Sequence, residues 1–221
     1  MTAIPDKIKA IRDHDAGIVK IGTSYEDAYE EALRIQKKTG ALMVHPYEDP
    51  LVLAGQATVG MEILDDNPHV DTVIVPIGGG GLICGIAFAV KNVDRSIRVI
   101  GVQSKNAPSM AEAFRVGRPV PVQTKPTLAD GMVIKSASEI TLAIIREYVD
   151  QIVLVSESDM KKAILALLRE DHVLAEPSGA ASVASIMCRS PPELGDNVAV
   201  VVSGGNISID YLSGLLTRHK N

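Results

Sequence analysis

Four consecutive glycines, Gly78–Gly81, stand between an apolar run and a helix-like run in the segment VIVPIGGGGLICGIA. Glycine loses more conformational entropy on folding than any other residue, so four in a row indicate a backbone that must approach something closely. A glycine turn between a strand and a helix is a common anion site, because the helix start offers unpaired N–H groups and a partial positive charge. The segment predicts a phosphate-binding loop; a tight turn without a ligand is the alternative.

The residues around the loop indicate which kind of phosphate it suits. A P-loop requires Lys and then Ser or Thr after its last glycine, where this chain has Leu82 and Ile83. The dinucleotide fingerprint requires glycines at i, i+2 and i+5, and counted from Gly78 the last of these falls on Ile83. The next strand ends at Gln103, where a nucleotide site would carry an acidic ribose ligand. A compact terminal phosphate on a small cofactor is therefore favoured over a nucleotide.

A second glycine turn, SGGN at Ser203–Asn206, ends another apolar run. Ligands of open α/β sheets bind outside the carboxyl ends of the strands, so we expect this turn and Gly78–Gly81 to face one crevice. The Ser203 hydroxyl can hydrogen-bond a heterocyclic nitrogen there. The alternative is a turn residue that satisfies its own backbone.

Strand-like and helix-like segments alternate along the chain. Long apolar runs predict strands buried on both faces of a parallel sheet, at Val73–Ile77, Ile97–Gln103, Gln151–Ser156 and Asn197–Asn206. Shorter runs predict strands at Gly17–Ile21 and Ala41–His45. Helical spacing, caps and stops predict helices from Ser24 to Gly40, over Leu51–Leu64, over Leu82–Val90 and after Ser156. The alternation predicts an α/β fold with an open, mostly parallel twisted sheet and helices on both faces.

Composition narrows the classes of function. A chain of 221 residues can bury one core, or one core and a small second lobe. The net charge of −5, with no long basic run, argues against binding to nucleic acid. Two cysteines without a CxxC motif indicate neither a disulfide framework nor a zinc site. No run suits a membrane span or a signal peptide, so we expect no membrane association and a cytoplasmic location.

Five motifs together resemble those of a known family. HPYEDPLVLAGQATVGMEI, VIVPIGGGGLICGIA, TLADGM, AEPSGAAS and VVVSGGN follow one another in the order and spacing of the threonine dehydratase and serine racemase group. These are fold-type II pyridoxal-phosphate enzymes, of the tryptophan synthase β-like fold, and the resemblance covers nearly the whole chain. It implies pyridoxal 5'-phosphate as the cofactor. It also implies a set of cofactor-binding residues, namely Gly78, Gly79, Gly80, Gly81 and Leu82 at the phosphate and Ser203 at the pyridine nitrogen.

The resemblance also bears on the chemistry. A neutral hydroxyl at the pyridine nitrogen leaves the ring less electron-withdrawing than an acid would, which suits elimination more than transamination. Glu176 falls where the family has an acidic or polar residue near the active site. Its favoured interpretation from sequence is a charge that stabilises the first turn of a helix.

Two elements of the family pattern are missing from this sequence. The family's Schiff-base lysine lies in a Ser-x-Lys-x-Arg context, followed by an Asn-His loop that holds the substrate carboxylate. No lysine here has that context, so we expect no catalytic lysine in this chain, which resembles the C-terminal two-thirds of the family. Gln103, Ala107 and Ser109 replace the acidic pattern of a divalent-cation site found in some racemases, and this predicts that no metal is bound there.

The resemblance suggests a domain division and a function. Residues 1–53 correspond to a remnant of the small lobe, and residues 54–221 to the large cofactor-binding lobe. A sheet without its remaining members exposes edges and apolar faces, so we expect a homo-oligomer or a separately encoded N-terminal partner. The first hypothesis is a fragment or split subunit of a threonine/serine dehydratase (ammonia-lyase), inactive alone and acting on a hydroxy amino acid once completed. The alternatives are a non-catalytic pyridoxal-phosphate or phosphate-binding or regulatory protein, and a remnant without a ligand.

Overall fold

The computed structural model describes residues 5–188 and 191–218, and the chain divides into two compact units, Met1–His45 and Pro46–Asn221. The assignment of residues 1–53 and 54–221 to a small and a large lobe stays a prediction.

The first unit contains helices α1 (Pro5–Arg12) and α2 (Tyr25–Thr39). The side chain of Ser24 accepts the Asp27 N–H at 3.2 Å, and the Asp27 carboxylate accepts the Ser24 N–H at 3.0 Å. This reciprocal capping box satisfies two N–H groups that a helix start leaves unpaired. The helix ends at Gly40, whose φ of 72° is one that side chains disfavour. Both ends of α2 are therefore confirmed where the sequence predicts them.

The prediction of two short strands in or near this unit is wrong. Both segments, Gly17–Ile21 and Ala41–His45, lack regular structure. A strand satisfies its backbone only through a neighbouring strand, and within the described residues neither segment has one. Their apolar side chains are largely exposed, and Leu42 reaches 89%. A short apolar run is thus too weak a signal to specify a strand without a pairing partner.

The second unit is built on a parallel sheet. Its strands are β1 (Thr72–Pro76), β2 (Arg98–Ser104), β3 (Gln151–Val155) and β4 (Val198–Val200), in the order β3-β2-β1-β4. Every pairing is parallel. The helices are α3 (Pro50–Asp66), α4 (Gly81–Val93), α5 (Ser109–Val116), α6 (Glu139–Tyr148), α7 (Glu157–Glu170), α8 (Ala181–Met187) and α9 (Ile209–Arg218). None of the helices in the described ranges is long and apolar enough to cross a membrane.

Helices cover both faces of the sheet, as the sequence predicts. All of β1 is buried, and its side chains alternate between two cores. Val73 and Val75 pack with side chains of α3, α4 and α6, whereas Ile74 packs with those of α7, α8 and α9. This division follows from the period of two in a strand, which sends successive side chains to opposite faces.

The fourth strand is shorter and less buried than the sequence predicts. β4 ends at Val200, three residues before Ser203, and its residues are half-buried. It pairs with β1 on one side, and the described residues place no strand on its other side. The predicted strand before the glycine turn is therefore confirmed, whereas its predicted burial on both faces is wrong. The apolar run has the composition of a central strand, but it lies at an edge of this sheet.

Two glycines allow α3 and α4 to pack at close range. A Cβ on Gly60 would lie 2.9 Å from the carbonyl oxygen of Ile86. A Cβ on Gly85 would lie 2.6 Å from the carbonyl oxygen of Leu53. Because each contact is with backbone, neither helix can yield by rotating a side chain. The contact fixes α4, whose first residue is the last of the four consecutive glycines.

We expect Gly60→Ala to lower the free energy of unfolding by about 1 to 3 kcal/mol, because the added methyl overfills the contact between the helices. Gly55→Ala is the matched control in the same helix, since a Cβ there meets open space. Because alanine has a higher helix propensity than glycine, Gly55→Ala is expected to raise the free energy of unfolding by up to about 1 kcal/mol. Urea denaturation, monitored by circular dichroism, measures the free energy of unfolding of both variants. Equal effects of the two substitutions would contradict the close packing of α3 on α4.

Candidate functional site

The helix α4 begins with N–H groups that no residue of the helix accepts. Gly80 is its N-cap, with a φ of 99° and no side-chain hydrogen bond to the helix start. The Cys84 N–H donates to the Gly80 carbonyl at 2.9 Å, which closes the first turn. The N–H groups of Gly81, Leu82 and Ile83 therefore lie before the first internal bond and are available to an acceptor outside the helix. This is the geometry that binds anions at helix starts.

The close neighbours of the four glycines are a tyrosine and a second turn. A Cβ on Gly79 would run into the ring of Tyr47, and one on Gly81 would lie 2.9 Å from the Tyr47 Cα. A Cβ on Gly78 would run into the carbonyl oxygen of Gly131. The loop thus passes between Tyr47 and the turn that carries Gly131, and side chains would prevent both contacts.

A threonine of α6 fastens the loop. The Thr141 hydroxyl is fully buried and donates to the Gly79 carbonyl at 2.9 Å. The Thr141 carbonyl in turn accepts the Cys84 thiol at 3.5 Å. Ser138 caps the start of α6, where its hydroxyl accepts the Ile140 N–H at 3.1 Å. The loop is therefore held by a helix whose own start is fixed.

The Gly131 turn is anchored to α7. One carboxylate oxygen of Glu157 accepts the Thr127 hydroxyl at 2.6 Å, and the other accepts the Leu128 N–H at 2.7 Å. These bonds hold the segment that leads into the short 3₁₀ turn Asp130–Met132. Hydrogen bonds to a charged acceptor are stronger than neutral ones, so this anchor is firm.

The SGGN turn lies against the AEPSGAAS segment. The Glu176 N–H donates to the Gly204 carbonyl at 2.9 Å, and a Cβ on Gly204 would lie 2.9 Å from a carboxylate oxygen of Glu176. Ser178 is 8% exposed, and its hydroxyl has no hydrogen-bond partner. Ser203 itself is exposed to solvent.

These segments enclose a cleft of about 280 Å³, close to the size of small-ligand sites. Its lining consists of Pro46, Tyr47, Gln56, Pro76, Gly78, Gly79, Gly80, Gly81, Leu82, Gly131, Met132, Glu176, Ser178 and Ser203. All the cofactor-binding residues predicted from sequence are among them, and their roles stay predictions. Sequence reasoning did not single out Tyr47, Gly131 or Ser178, although the motifs HPYED, TLADGM and AEPSGAAS contain them.

The favoured interpretation of Glu176 as a charge in the first turn of a helix is wrong. The following helix, α8, begins only at Ala181. The chain between them makes a turn in which the Ala180 N–H donates to the Glu176 carbonyl at 2.9 Å. The Glu176 side chain lines the cleft instead.

The position of the racemase cation site holds neutral groups. Gln103 is fully buried, and its side-chain oxygen accepts the Ala111 N–H at 3.0 Å. Ser109 is also buried. Across the described part of the chain, His, Cys, Asp and Glu do not gather in threes as metal ligands would. The absence of a bound metal stays a prediction.

Comparison with known proteins gives consistent matches. A family model described as pyridoxal-phosphate dependent enzyme matches residues 1–204. The L-threonine ammonia-lyase of Thermotoga maritima is 44% identical over 212 residues, which are 96% of this chain and 53% of that protein. The catabolic L-threonine dehydratase TdcB of Escherichia coli K12 is 41% identical over 209 residues, 94% of this chain and 64% of that protein.

The fold has close counterparts among solved structures. Maize serine racemase superposes with a TM-score of 0.86 at 30% identity, over 98% of this chain and 67% of that one. The processed form of threonine deaminase isoform 2 from Solanum lycopersicum superposes with a TM-score of 0.87 at 30% identity. The superposition covers 99% of this chain and 61% of that one. The chain thus spans between half and two-thirds of the length of the curated relatives it matches.

The two cysteines are expected to differ in reactivity. Burial raises the pKa of the Cys84 thiol to about 12, so almost none of it is thiolate at neutral pH. Cys188 is half-buried. We expect iodoacetamide to label Cys188 in the folded chain and to label Cys84 only in denaturant, as read by peptide mass spectrometry. Labelling of both at the same rate in the folded chain would contradict the buried setting of Cys84 behind the glycine loop.

Proposed function

Because the chain belongs to the family of pyridoxal-phosphate dependent enzymes, we propose that it binds pyridoxal phosphate in the cleft and forms the cofactor side of a threonine ammonia-lyase (dehydratase) site. The observation that carries the proposal is the start of α4, whose unpaired N–H groups open into a cleft that also contains Ser203. The similarity to threonine ammonia-lyases over almost the whole chain supports this substrate class.

The residues present fit the cofactor. The glycine loop offers backbone N–H donors at Gly81 and Leu82 for a phosphate, without side chains that would block its approach. The unpartnered hydroxyl of Ser178 and the exposed hydroxyl of Ser203 supply neutral hydrogen-bonding groups for a heteroaromatic ring. Pyridoxal phosphate supplies an electron sink for negative charge at the substrate Cα. In this proposal the start of α4 holds the phosphate and the two serine hydroxyls orient the ring, in a cleft that Tyr47 also lines.

A second candidate function is a non-catalytic pyridoxal-phosphate or phosphate-binding protein, or a regulatory subunit. The observation that favours it is the lining of the cleft, which contains no lysine among the described residues of the second unit. Removal of the substrate Cα proton requires a base within hydrogen-bond reach. We propose that this group comes from a segment outside these 221 residues, such as an N-terminal partner. Without that segment, the chain would be a non-catalytic binding protein.

We expect Leu82→Asp to weaken binding of pyridoxal phosphate at least about tenfold relative to Leu82→Asn, because a carboxylate at the loop repels the phosphate. Asp and Asn have nearly the same shape, so both variants lose the same apolar contacts and differ in charge. Asp also suits the first turn of a helix, which protects the fold of the charged variant. Fluorescence titration, with inorganic phosphate as competitor, gives the dissociation constants. Equal values for the two variants would show that phosphate does not bind at the start of α4.

We expect the chain alone to release no ketoacid from threonine or serine when pyridoxal phosphate is added. Mixed with the part of the Thermotoga maritima relative that lies outside its 212 matched residues, it is expected to gain activity. The Leu82→Asp chain in the same mixture is the control and should gain less. Sustained turnover by the stringently purified chain would contradict the need for a partner.

Light scattering across a dilution series of the purified chain tests whether it associates with itself. We expect self-association of the chain alone, because β4 is a half-buried edge and apolar residues such as Leu51 on α3 are exposed. A folded monomer with a cooperative melt at low micromolar concentration would contradict it.

A further inference from the structure

The peptide bond between Gly79 and Gly80 is sterically free to take two orientations. Neither residue has a Cβ, and the φ of Gly80 is 99°, a value that side chains disfavour. Like the other described peptide bonds it is trans, so its carbonyl and its N–H point in opposite directions. Rotation of this peptide unit would exchange the two directions. Sterics alone therefore do not decide whether the loop presents a donor or an acceptor to the cleft.

A hydrogen bond from α6 selects one of these orientations. The Thr141 hydroxyl donates to the Gly79 carbonyl at 2.9 Å, and the Thr141 side chain is fully buried. The contact leaves little space, because a Cβ on Gly80 would lie 3.0 Å from the Thr141 Cβ. Thr141 lies in the first turn of α6, which Ser138 caps, so the position of the hydroxyl is fixed. The Gly79 carbonyl is thereby directed toward α6.

The N–H of Gly80 consequently points away from α6. Gly79 and Gly80 line the cleft, whereas Thr141 does not. Among the described residues, no backbone carbonyl accepts the Gly80 N–H. In the reversed orientation the Gly79 carbonyl would take its place, and the negative end of that dipole would repel an anion at the start of α4.

We propose that Thr141 is a positioning residue, which holds the Gly79–Gly80 peptide with its N–H toward the cleft. The hydroxyl acts through this peptide and does not touch the ligand. The inference rests on the proposed function, in which a phosphate group binds at the start of α4. It adds the Gly80 N–H to the donors at Gly81 and Leu82, and it names the side chain that directs this N–H.

The test replaces Thr141 in two ways. Thr141→Val removes the hydroxyl and keeps the size and branching of the side chain, whereas Thr141→Ser keeps the hydroxyl. We expect Thr141→Val to raise the dissociation constants of pyridoxal phosphate and of inorganic phosphate about tenfold, equivalent to about 1.4 kcal/mol. The reason is that the Gly79 carbonyl can then turn toward the phosphate. Thr141→Ser is expected to bind both ligands nearly as well as the unmodified chain.

Thr72→Val is the matched control for a general loss of stability. Thr72 is also fully buried, and its hydroxyl donates to the Asp71 carboxylate at 2.8 Å, but it does not line the cleft. Both valine variants are expected to melt at a lower temperature than the unmodified chain, because each loses a buried hydrogen bond. Only Thr141→Val is expected to lose affinity. Equal losses in the two valine variants would attribute the effect to stability and overturn the inference.

Amide NMR of the chain with isotope-labelled glycine observes the peptide directly, and it decides the question even if Thr141→Val does not fold. Inorganic phosphate is expected to shift the Gly80 amide proton downfield in the unmodified chain and in Thr141→Ser. A shift at Gly81 without one at Gly80 would overturn the inference and leave the proposed function standing, as would unchanged affinity of a folded Thr141→Val. If the unmodified chain binds neither ligand, the proposed function fails and the inference with it.

Discussion

The contact of the glycine loop with its two neighbours is the constraint on which the cleft depends. Tyr47 packs against Gly79 and Gly81, and the Gly131 carbonyl oxygen packs against Gly78. Both contacts are with main chain or with a ring, so little adjustment is available if a side chain is added. The four glycines therefore serve the packing of the loop as well as any ligand, since a loop with side chains at these positions could not pass between the two neighbours.

The position of Tyr47 in turn depends on helix packing. Tyr47 lies three residues before Pro50, the first residue of α3, and Asp49 caps that helix by accepting the Leu51 N–H at 2.8 Å. Because α3 packs on α4 through backbone contacts at Gly60 and Gly85, the segment that carries Tyr47 is fixed relative to the start of α4. The cleft is thus formed by the two helices and by the turn before α3, rather than by the loop alone.

Much of this arrangement could be predicted from the sequence, and the failures have physical reasons. The glycine loop and the helix capped by Ser156 have local signals, namely residue type and a capping box. The strands at Gly17–Ile21 and Ala41–His45 failed because a strand depends on a pairing partner, which a local pattern does not specify. The sequence favours a helix start for Glu176 because it does not show that α8 begins only at Ala181. The place of Ser178 depends on a tertiary property, a buried hydroxyl without a partner, and a serine before a glycine is otherwise an ordinary turn residue.

The negative charge of the molecule limits the ways in which the cleft can bind an anion. The net charge of −5 opposes the approach of a phosphate, and Glu176 adds a carboxylate within the cleft itself. The field of a helix start falls off within about one turn, so it acts on a phosphate only at short range. Under the proposed function, binding therefore depends on direct hydrogen bonds to the N–H groups of Gly81 and Leu82, which form only if the loop backbone is reachable. Because the Glu176 carboxylate also lines the cleft, we expect an anionic group of a ligand to bind at the start of α4 rather than beside Glu176.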